Sequence, residues 1–347
     1  MADLTPDQIR SAQDVSKKRA RDLADELGIS EAALVAARVG MGVTKIEAHP
    51  NTLIPQVEAL GPVMALTRNV SCVIEKVGPY VDYRPGDHAG MIFSETIDLR
   101  MFPSRWVHAF AVEQETEAGP KRSLQIFDAA GDAVHKIHLR PESNHDAWPD
   151  LVETLALGDD SQSLELSARQ PVEGPKINPE KAEALRAEWD KMTDTHQFMR
   201  ICSKLKINRL GAYHMAGAPY ARKLSVDAAN DMLEKVQASG IEFMFFVGNM
   251  GCIEIHTGPI GRLQRIGPWQ NILDPGFDMH LRLDHIAEVW AVSKPSKRGP
   301  VVSVEAFDAE GMVIFQAFGV GFEGRNSRPQ WNDIVHTLEP LKDEVVA

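Results

Sequence analysis

Two kinds of hydrophobic pattern alternate along the chain, and each occurs twice. Residues 14–39 and 179–206 are rich in Ala, Leu, Glu, Lys and Arg, with apolar positions at helical spacing. After residue 63, and again after 241, the pattern shortens to apolar or alternating runs, VMALT, CVIEKV, FMFFVG and CIEIHT, punctuated by Gly and Pro. A period of two between such breakers predicts antiparallel strands. Asn178 followed by Pro179 predicts a helix start, with proline at the first helical position. Each unit thus reads as a helical lead-in, a meandering sheet and a closing helix. The fold class is α+β by tandem duplication, each half a large antiparallel β-sheet with packed helices.

The doubling is visible residue by residue. A shift of 180 superimposes NVSCVIEKVGP (69–79) on NMGCIEIHTGP (249–259), TIDLRMF (96–102) on GFDMHLR (276–282), HAFAV (108–112) on EVWAV (288–292) and QIFDAAG (125–131) on EAFDAEG (305–311). Three residues further out of step, WPDLVETL (148–155) meets WNDIVHTL (331–338). The reading is an N-terminal repeat over 1–160, a linker over 161–180 within a stretch rich in Pro, Gly, Ser and charge, and a C-terminal repeat over 181–347.

Strand side chains alternate faces and 180 is even, so equivalent strand residues share a face. Ile97, Leu99 and Met101 take one side, leaving Asp98, Arg100 and Phe102 on the other. In the copy, Phe277, Met279, Leu281 and Leu283 face Asp278, His280 and Arg282 across the strand. Arg100 and His280 therefore share one structural position, which pattern alone reads as solvated sheet surface.

In KMTDTHQFMRICSKLKINR (191–209), Asp194 and Gln197 have capping-box spacing, which predicts a helix beginning there with His196 in its first turn. Phe198, Ile201, Cys202 and Leu205 make the face that docks this helix. His196 points the other way beside Met199, joined by Trp189 and Met192 if the preceding helix runs through unbroken. A soft apolar flank on the reverse of a docked helix implies a second burial. Two readings fit: a histidine packed between the two units, or a metal ligand in a nonpolar pocket. A helix N-terminus disfavours imidazolium and leaves a lone pair for iron.

Composition narrows the classes. The 347 residues are 44% hydrophobic and 25% charged, a globular balance with room for two domains. Acidic residues outnumber basic ones 49 to 37, and no Lys/Arg run follows residues 17–21, so no nucleic-acid partner is expected. The start MADLTPDQIR has no apolar signal core, and no stretch approaches the ~18 continuous apolar residues of a membrane span. The expectation is a cytoplasmic protein that is not membrane-inserted. Cys72, Cys202 and Cys252 form no Cys-x-x-Cys pair and read as structural thiols, with a metal or redox role as the alternative. Phosphate-loop, dinucleotide-binding, zinc-protease and serine-hydrolase motifs are absent from the sequence.

Through IDLRMF (97–102), THQF (195–198), FVGNMGC (246–252), AEVWAVSKP (287–295) and FQAFG (315–319), the chain resembles, over residues 14–340, the bacterial hemin-degrading factor family, the cytoplasmic heme-binding proteins of heme-uptake operons. The resemblance implies heme b held in a cleft against the C-terminal half. It makes His196 the proximal iron ligand and Arg100 the distal, catalytic residue, with Phe102 lining that side. Arg209 and Lys294 would hold the propionates, and Met199 and Gln316 join the heme-contacting set. The implied activity is binding and degradation of heme for iron acquisition, as a heme oxygenase-like oxidoreductase with an external electron donor of unidentified kind. The alternative is a noncatalytic chaperone that stores heme or delivers it to a heme oxygenase. The implied partners are an inner-membrane heme ABC transporter, a reductase or a heme oxygenase. This chain departs from the family at Phe318 and Gly321, where Tyr and a second distal Arg are common, and at Met199, where an aromatic is common. Arg325 and Arg328 are the cations placed in sequence to reach back.

Overall fold

End chemistry fixes the first helices. Thr5 Oγ1 accepts from the Gln8 backbone N–H while the Gln8 side chain accepts from Thr5 N–H, a capping box that starts α1 (Pro6–Val15). α2 (Ala20–Leu27) stops at Gly28, whose φ of 65° suits a residue without Cβ, and Ser30 caps α3 (Glu31–Ala36). The computed structural model describes residues 4–117 and 119–341. Two units divide it: one runs to Arg68 and takes in Ile74–Gln170 and Gly248–Glu254, and the other takes Asn69–Val73, Pro171–Val247 and the chain from Ile255 onward.

The first unit contains β1 (Val43–Ile46), α4 (Pro50–Val57), β2 (Val63–Arg68), most of β3 (Cys72–Gly78), β4 (Gly90–Phe93), β5 (Asp98–Met101), β6 (His108–Gln114), β7 (Lys121–Phe127), β8 (Ala133–Leu139) and α5 (Trp148–Leu155). Its main sheet is antiparallel in the order β1-β6-β7-β8-β2. Leu53 and Ile54 of α4 and Leu151 and Leu155 of α5 bury Ala109, Leu124, Ile126 and Ile137 on one face. On the other, Ala32, Val35 and Ala36 of α3 cover Phe110 and Phe127.

After residues 157–178, which form neither helix nor strand, the second unit supplies α6 (Ala182–Asp190), α7 (Gln197–Leu205), α8 (Arg209–Ala216), β9 (Ala221–Leu224), α9 (Ala228–Ser239), β10 (Phe243–Gly248), β11 (Cys252–Gly258), β12 (Leu263–Ile266), β13 (Trp269–Asp274), β14 (Phe277–Arg282), β15 (Glu288–Lys294), β16 (Val301–Phe307), β17 (Val313–Gly319) and α10 (Arg328–His336). The first residues of β11, Cys252–Glu254, belong to the first unit and pair with β5. The second unit's main sheet runs β10-β17-β16-β15-β9. One face carries α6, α7 and α8 over Ala221, Trp290, Val292 and Phe307, and Trp331 of α10 is wholly buried, its indole N–H donating to Val302 O at 2.9 Å.

The duplication holds at the level of register. Lys45 faces Phe110 across β1 and β6, and Lys223 faces Trp290 across β9 and β15. A bulge falls at Ile126/Phe127 in one unit and at Ala306/Phe307 in the other, again 180 apart. The recurring polar residues are turn formers. Asn69 and Asn249 each accept two backbone N–H bonds, from Ser71 and Cys72 and from Gly251 and Cys252, and Asp128 and Asp308 do the same in the Phe-Asp-Ala turns. Gly251 is required for space: a Cβ there would stand 2.6 Å from Val134 Cγ1.

The lead-in of the second unit differs from the sequence expectation. A 3-10 turn (Pro179–Lys181) precedes α6, and Asn178 makes no side-chain cap. α6 ends at Asp190 and α7 begins at Gln197, with His196 as its N-cap residue rather than within its first turn.

Candidate functional site

The break between α6 and α7 explains the geometry around His196. Gln197 reaches back one residue further than a capping box would, its Oε1 accepting from Thr193 N–H at 2.9 Å. Asp194 instead turns its carboxylate onto His196, with Oδ1 2.8 Å from the backbone N and 2.7 Å from Nδ1. The six-residue turn rotates Trp189 and Met192 into the core, where Trp189 meets Phe198 edge-on at 4.8 Å between centroids. The condition under which they would flank His196 is therefore not met. The His196 side chain is 94% exposed. Of the apolar flank, Met199 remains, half exposed.

Beside Met199 lies a buried polar cluster. Glu305, on β16, is completely buried. Its Oε1 accepts from Lys294 Nζ at 2.9 Å and Ser303 Oγ at 2.8 Å, and its Oε2 from Tyr213 OH at 2.8 Å and Arg209 Nη1 at 3.0 Å. Burial alone would raise the Glu305 carboxyl, but Lys294 and Arg209 outweigh it and hold it at about 2. Burial also pushes the Tyr213 phenol up and draws the Lys294 ammonium down, the latter against the pull of Glu305. Two cations against one carboxylate leave this cluster at +1. Its members differ in access. Lys294 is 4% exposed, bonded to Tyr213 OH at 3.0 Å as well as to Glu305, and lies 4.8 Å from the Phe198 ring centroid. Arg209, the first residue of α8, keeps more of its guanidinium accessible and points Nη2 toward Met199 Sδ at 3.6 Å.

Gln316 stands directly opposite Glu305, and Phe318 opposite Ser303. On the next strand Phe246 faces Gln316 and Met244 faces Phe318, and Phe246 and Phe318 meet at 5.1 Å. Helices α6–α8 cover β9, β15 and β16, while Met244, Phe246, Gln316 and Phe318 stay half-buried, an apolar shelf beside the charged cluster. Sequence reading missed Met244 and Phe246. FMFFVG is apolar throughout, and only its pairing with β17 shows which of its residues stand with Gln316.

Arg100 belongs to the first unit. Through Nη1 it contacts Asp98 and donates to Leu99 O at 2.9 Å and Ile92 O at 3.2 Å. The face expected to be solvated is not plainly so, since Asp98 is buried. Its carboxyl is raised by burial, with Arg100 and Lys76 opposing. Arg100 faces Met91 on β4 and Ile253 on β11, and its Cζ lies 5.9 Å from the Phe93 ring centroid. Met91 and Phe93 are exposed and Phe102 half-buried, so the Arg100–Asp98 pair has apolar neighbours. Met91 and Phe93 also went unread, because GMIF is too short to reveal its partner strand. His280, the counterpart of Arg100, holds its ring on Asn271 Oδ1 at 2.7 Å.

Arg325 forms a bidentate pair with Glu242, at 2.6 and 3.0 Å. Arg328 lies against Gly321, its guanidinium filling the volume a side chain at 321 would need. The three cysteines are buried and unpaired in disulfides, and burial pushes Cys202 up to about 11 and the other two further, which suits structural thiols. Among the described residues, no group of three or more His, Cys, Asp and Glu is gathered to hold a bare metal ion.

A family model described as the haemin-degrading HemS/ChuX domain matches the chain twice, over residues 28–155 and 206–338. The hemin transport protein HemS of Yersinia enterocolitica is 35% identical over 333 residues, 95% of each chain. The crystal structure of holo-PhuS, a heme-binding protein from Pseudomonas aeruginosa, superimposes with a TM-score of 0.93 at 38% identity, covering 97% of this chain and 100% of that one. ChuS, an E. coli heme oxygenase, gives 0.86 at 32% identity over 95% of this chain and 99% of its own.

Proposed function

The chain belongs to the haemin-degrading HemS/ChuX family, and from that premise we propose that it binds heme with His196 as the iron ligand and degrades it for iron acquisition. The observation that carries this reading is the His196 imidazole, solvent-exposed at the start of α7 with Nδ1 tied to Asp194. A neutral imidazole whose Nδ1 is engaged presents Nε2 to a metal. Heme is an apolar plate with two carboxylates. Residues of the same unit suit that chemistry, with Met199 and the Met244/Phe246/Phe318 shelf for the plate and the +1 cluster for the carboxylates. Arg209, the more accessible cation of the cluster, would meet a propionate, with Gln316, opposite Glu305, as a further contact. Lys294 acts from beneath, through Glu305 and Tyr213. Arg100 takes the distal role, with Phe102 lining that side.

Arg100 is the residue on which degradation depends. Its guanidinium is only partly exposed and is held by Asp98 and the Leu99 and Ile92 carbonyls, so it would offer an oriented donor to negative charge that develops as heme is cleaved. Reducing equivalents come from an external donor. The proposal places the protein in the cytoplasm, downstream of an inner-membrane heme transporter; no helix among the described residues is long and apolar enough to cross a membrane. Heme delivery without turnover is the second reading, favoured by Phe318 and Gly321, which supply neither a phenol nor a guanidinium.

The test is a hemin titration followed by addition of reductant under air. The expected result is one hemin per chain at low-micromolar affinity or better, then loss of the Soret band with formation of a cleaved product. Binding without product formation assigns delivery, and failure to bind rejects the whole reading.

A further inference from the structure

Asp194 makes two bonds to the same residue. Its Oδ1 accepts the backbone N–H of His196 at 2.8 Å and lies 2.7 Å from the ring Nδ1. A carboxylate ionised at neutral pH has no proton to give, so Nδ1 must be the donor in that contact, and the neutral ring carries its single proton there. The turn that aims Asp194 is itself held from several directions. Thr193 N–H donates to Gln197 Oε1 at 2.9 Å, Gln197 N–H to Asp194 O at 3.1 Å, and Lys297 N–H to Thr193 O at 3.0 Å. His196, by contrast, is 94% exposed and has no packing to restrict its rotamers. A fixed carboxylate and an otherwise unrestrained imidazole make the Asp194 bond the device that orients the ring.

Resting on the reading of His196 as the heme ligand, we infer that Asp194 is a positioning residue: it fixes the Nδ1–H tautomer, presents a bare Nε2 to the iron, and raises the electron donation of that nitrogen. Carboxylates behind metal-bound histidines act in this way in general, and their loss costs roughly 10–100-fold in metal affinity. The surrounding contacts belong to the turn and not to the ring, so an Asp194 variant can keep the α6–α7 turn while releasing the imidazole.

The experiment has two arms. In the unloaded full-length chain at alkaline pH, nitrogen-resolved NMR reads the tautomer of the neutral His196 ring directly. Wild type is expected to show Nδ1–H, whereas Asp194→Ala shifts toward the Nε2–H form that free imidazole side chains favour in water. In the hemin-loaded chain, Asp194→Ala weakens hemin affinity about tenfold or more, raises the ferric/ferrous midpoint potential and lowers the iron–histidine stretching frequency, and Asp194→Glu recovers part of each. Asp194→Leu, which keeps the bulk of the side chain without an acceptor, replaces the alanine variant should that one unfold by circular dichroism. Tautomer and potential equal to wild type in both variants overturn the inference. If His196→Ala at the same time removes the imidazole-ligated spectrum, the ligand reading stands without it. If His196→Ala leaves the spectrum unchanged, that reading is the part that failed.

Discussion

Lys294 Nζ and Glu305 Oε1 stand 2.9 Å apart, and both residues are buried. Charges so buried are tolerable only when each is compensated, and Glu305 serves both Lys294 and Arg209 while accepting from Tyr213 and Ser303. Glu305→Gln leaves two cations facing a neutral amide. The expected loss of stability is about 3–5 kcal/mol, the usual scale for removing one partner of a buried pair, measured by urea unfolding of the unloaded chain. A loss below about 1 kcal/mol, the range of exposed pairs, would contradict the burial argument. The Glu305 carboxyl sits at about 2 in the fold against 4.5 ordinarily, so its stabilisation is whole above pH 4.5 and is lost as pH falls from there toward 2.

Glu254 carries the opposite pH sign. It is completely buried in the first unit, and burial pushes its carboxyl up to about 8 against the opposing pull of Thr67 and Lys76. An acid raised in the folded state keeps its proton there while the unfolded chain gives it up above 4.5. Its contribution is therefore fully favourable below pH 4.5 and declines as pH rises to 8, by up to about 1.4 kcal/mol per pH unit for one proton. Glu254→Gln should flatten the fall in stability between pH 5 and 8. A variant whose pH profile in that window matches wild type would show that Glu254 is ionised in the fold.

Arg100→Ala should leave hemin affinity within roughly tenfold and slow reductant-driven bleaching by about 10²-fold, the scale for losing one donor to developing charge. The alanine also strips buried Asp98 of its cation, so Arg100→Lys is the control that keeps the charge while losing the planar fork. Bleaching rates are compared with catalase present, and products are separated chromatographically. Equal rates in wild type and Arg100→Ala, or decay in wild type that catalase abolishes, would assign the protein to delivery.

The duplication, the α+β layout and the face assignments on β5 and β14 were legible because a period of two and a 180-residue shift are properties of one strand or one alignment. What escaped depends on elements far apart in sequence. Lys294 was read as a propionate ligand, whereas in the fold Glu305 and Tyr213, on other elements, hold it buried. Trp189 and Met192 changed sides because the turn at 193–197 is offset by one residue from the capping box it resembles, and a short break resets the phase of a helix. The recurring Asn and Asp marked the duplication in the sequence, and the fold shows them to be turn formers. Arg328 against Gly321 is a substitution of space between a strand end and α10, which no local pattern encodes.

The central claim is ligation of heme by His196, and the absorption spectrum of hemin-loaded His196→Ala beside wild type tests it most directly. A lone protein ligand on one face of the iron controls the Soret and visible bands, so the account expects the imidazole-ligated spectrum of wild type to disappear in the variant, with added imidazole restoring it. A variant whose Soret and visible bands coincide with those of wild type would contradict the assignment and shift suspicion to His280.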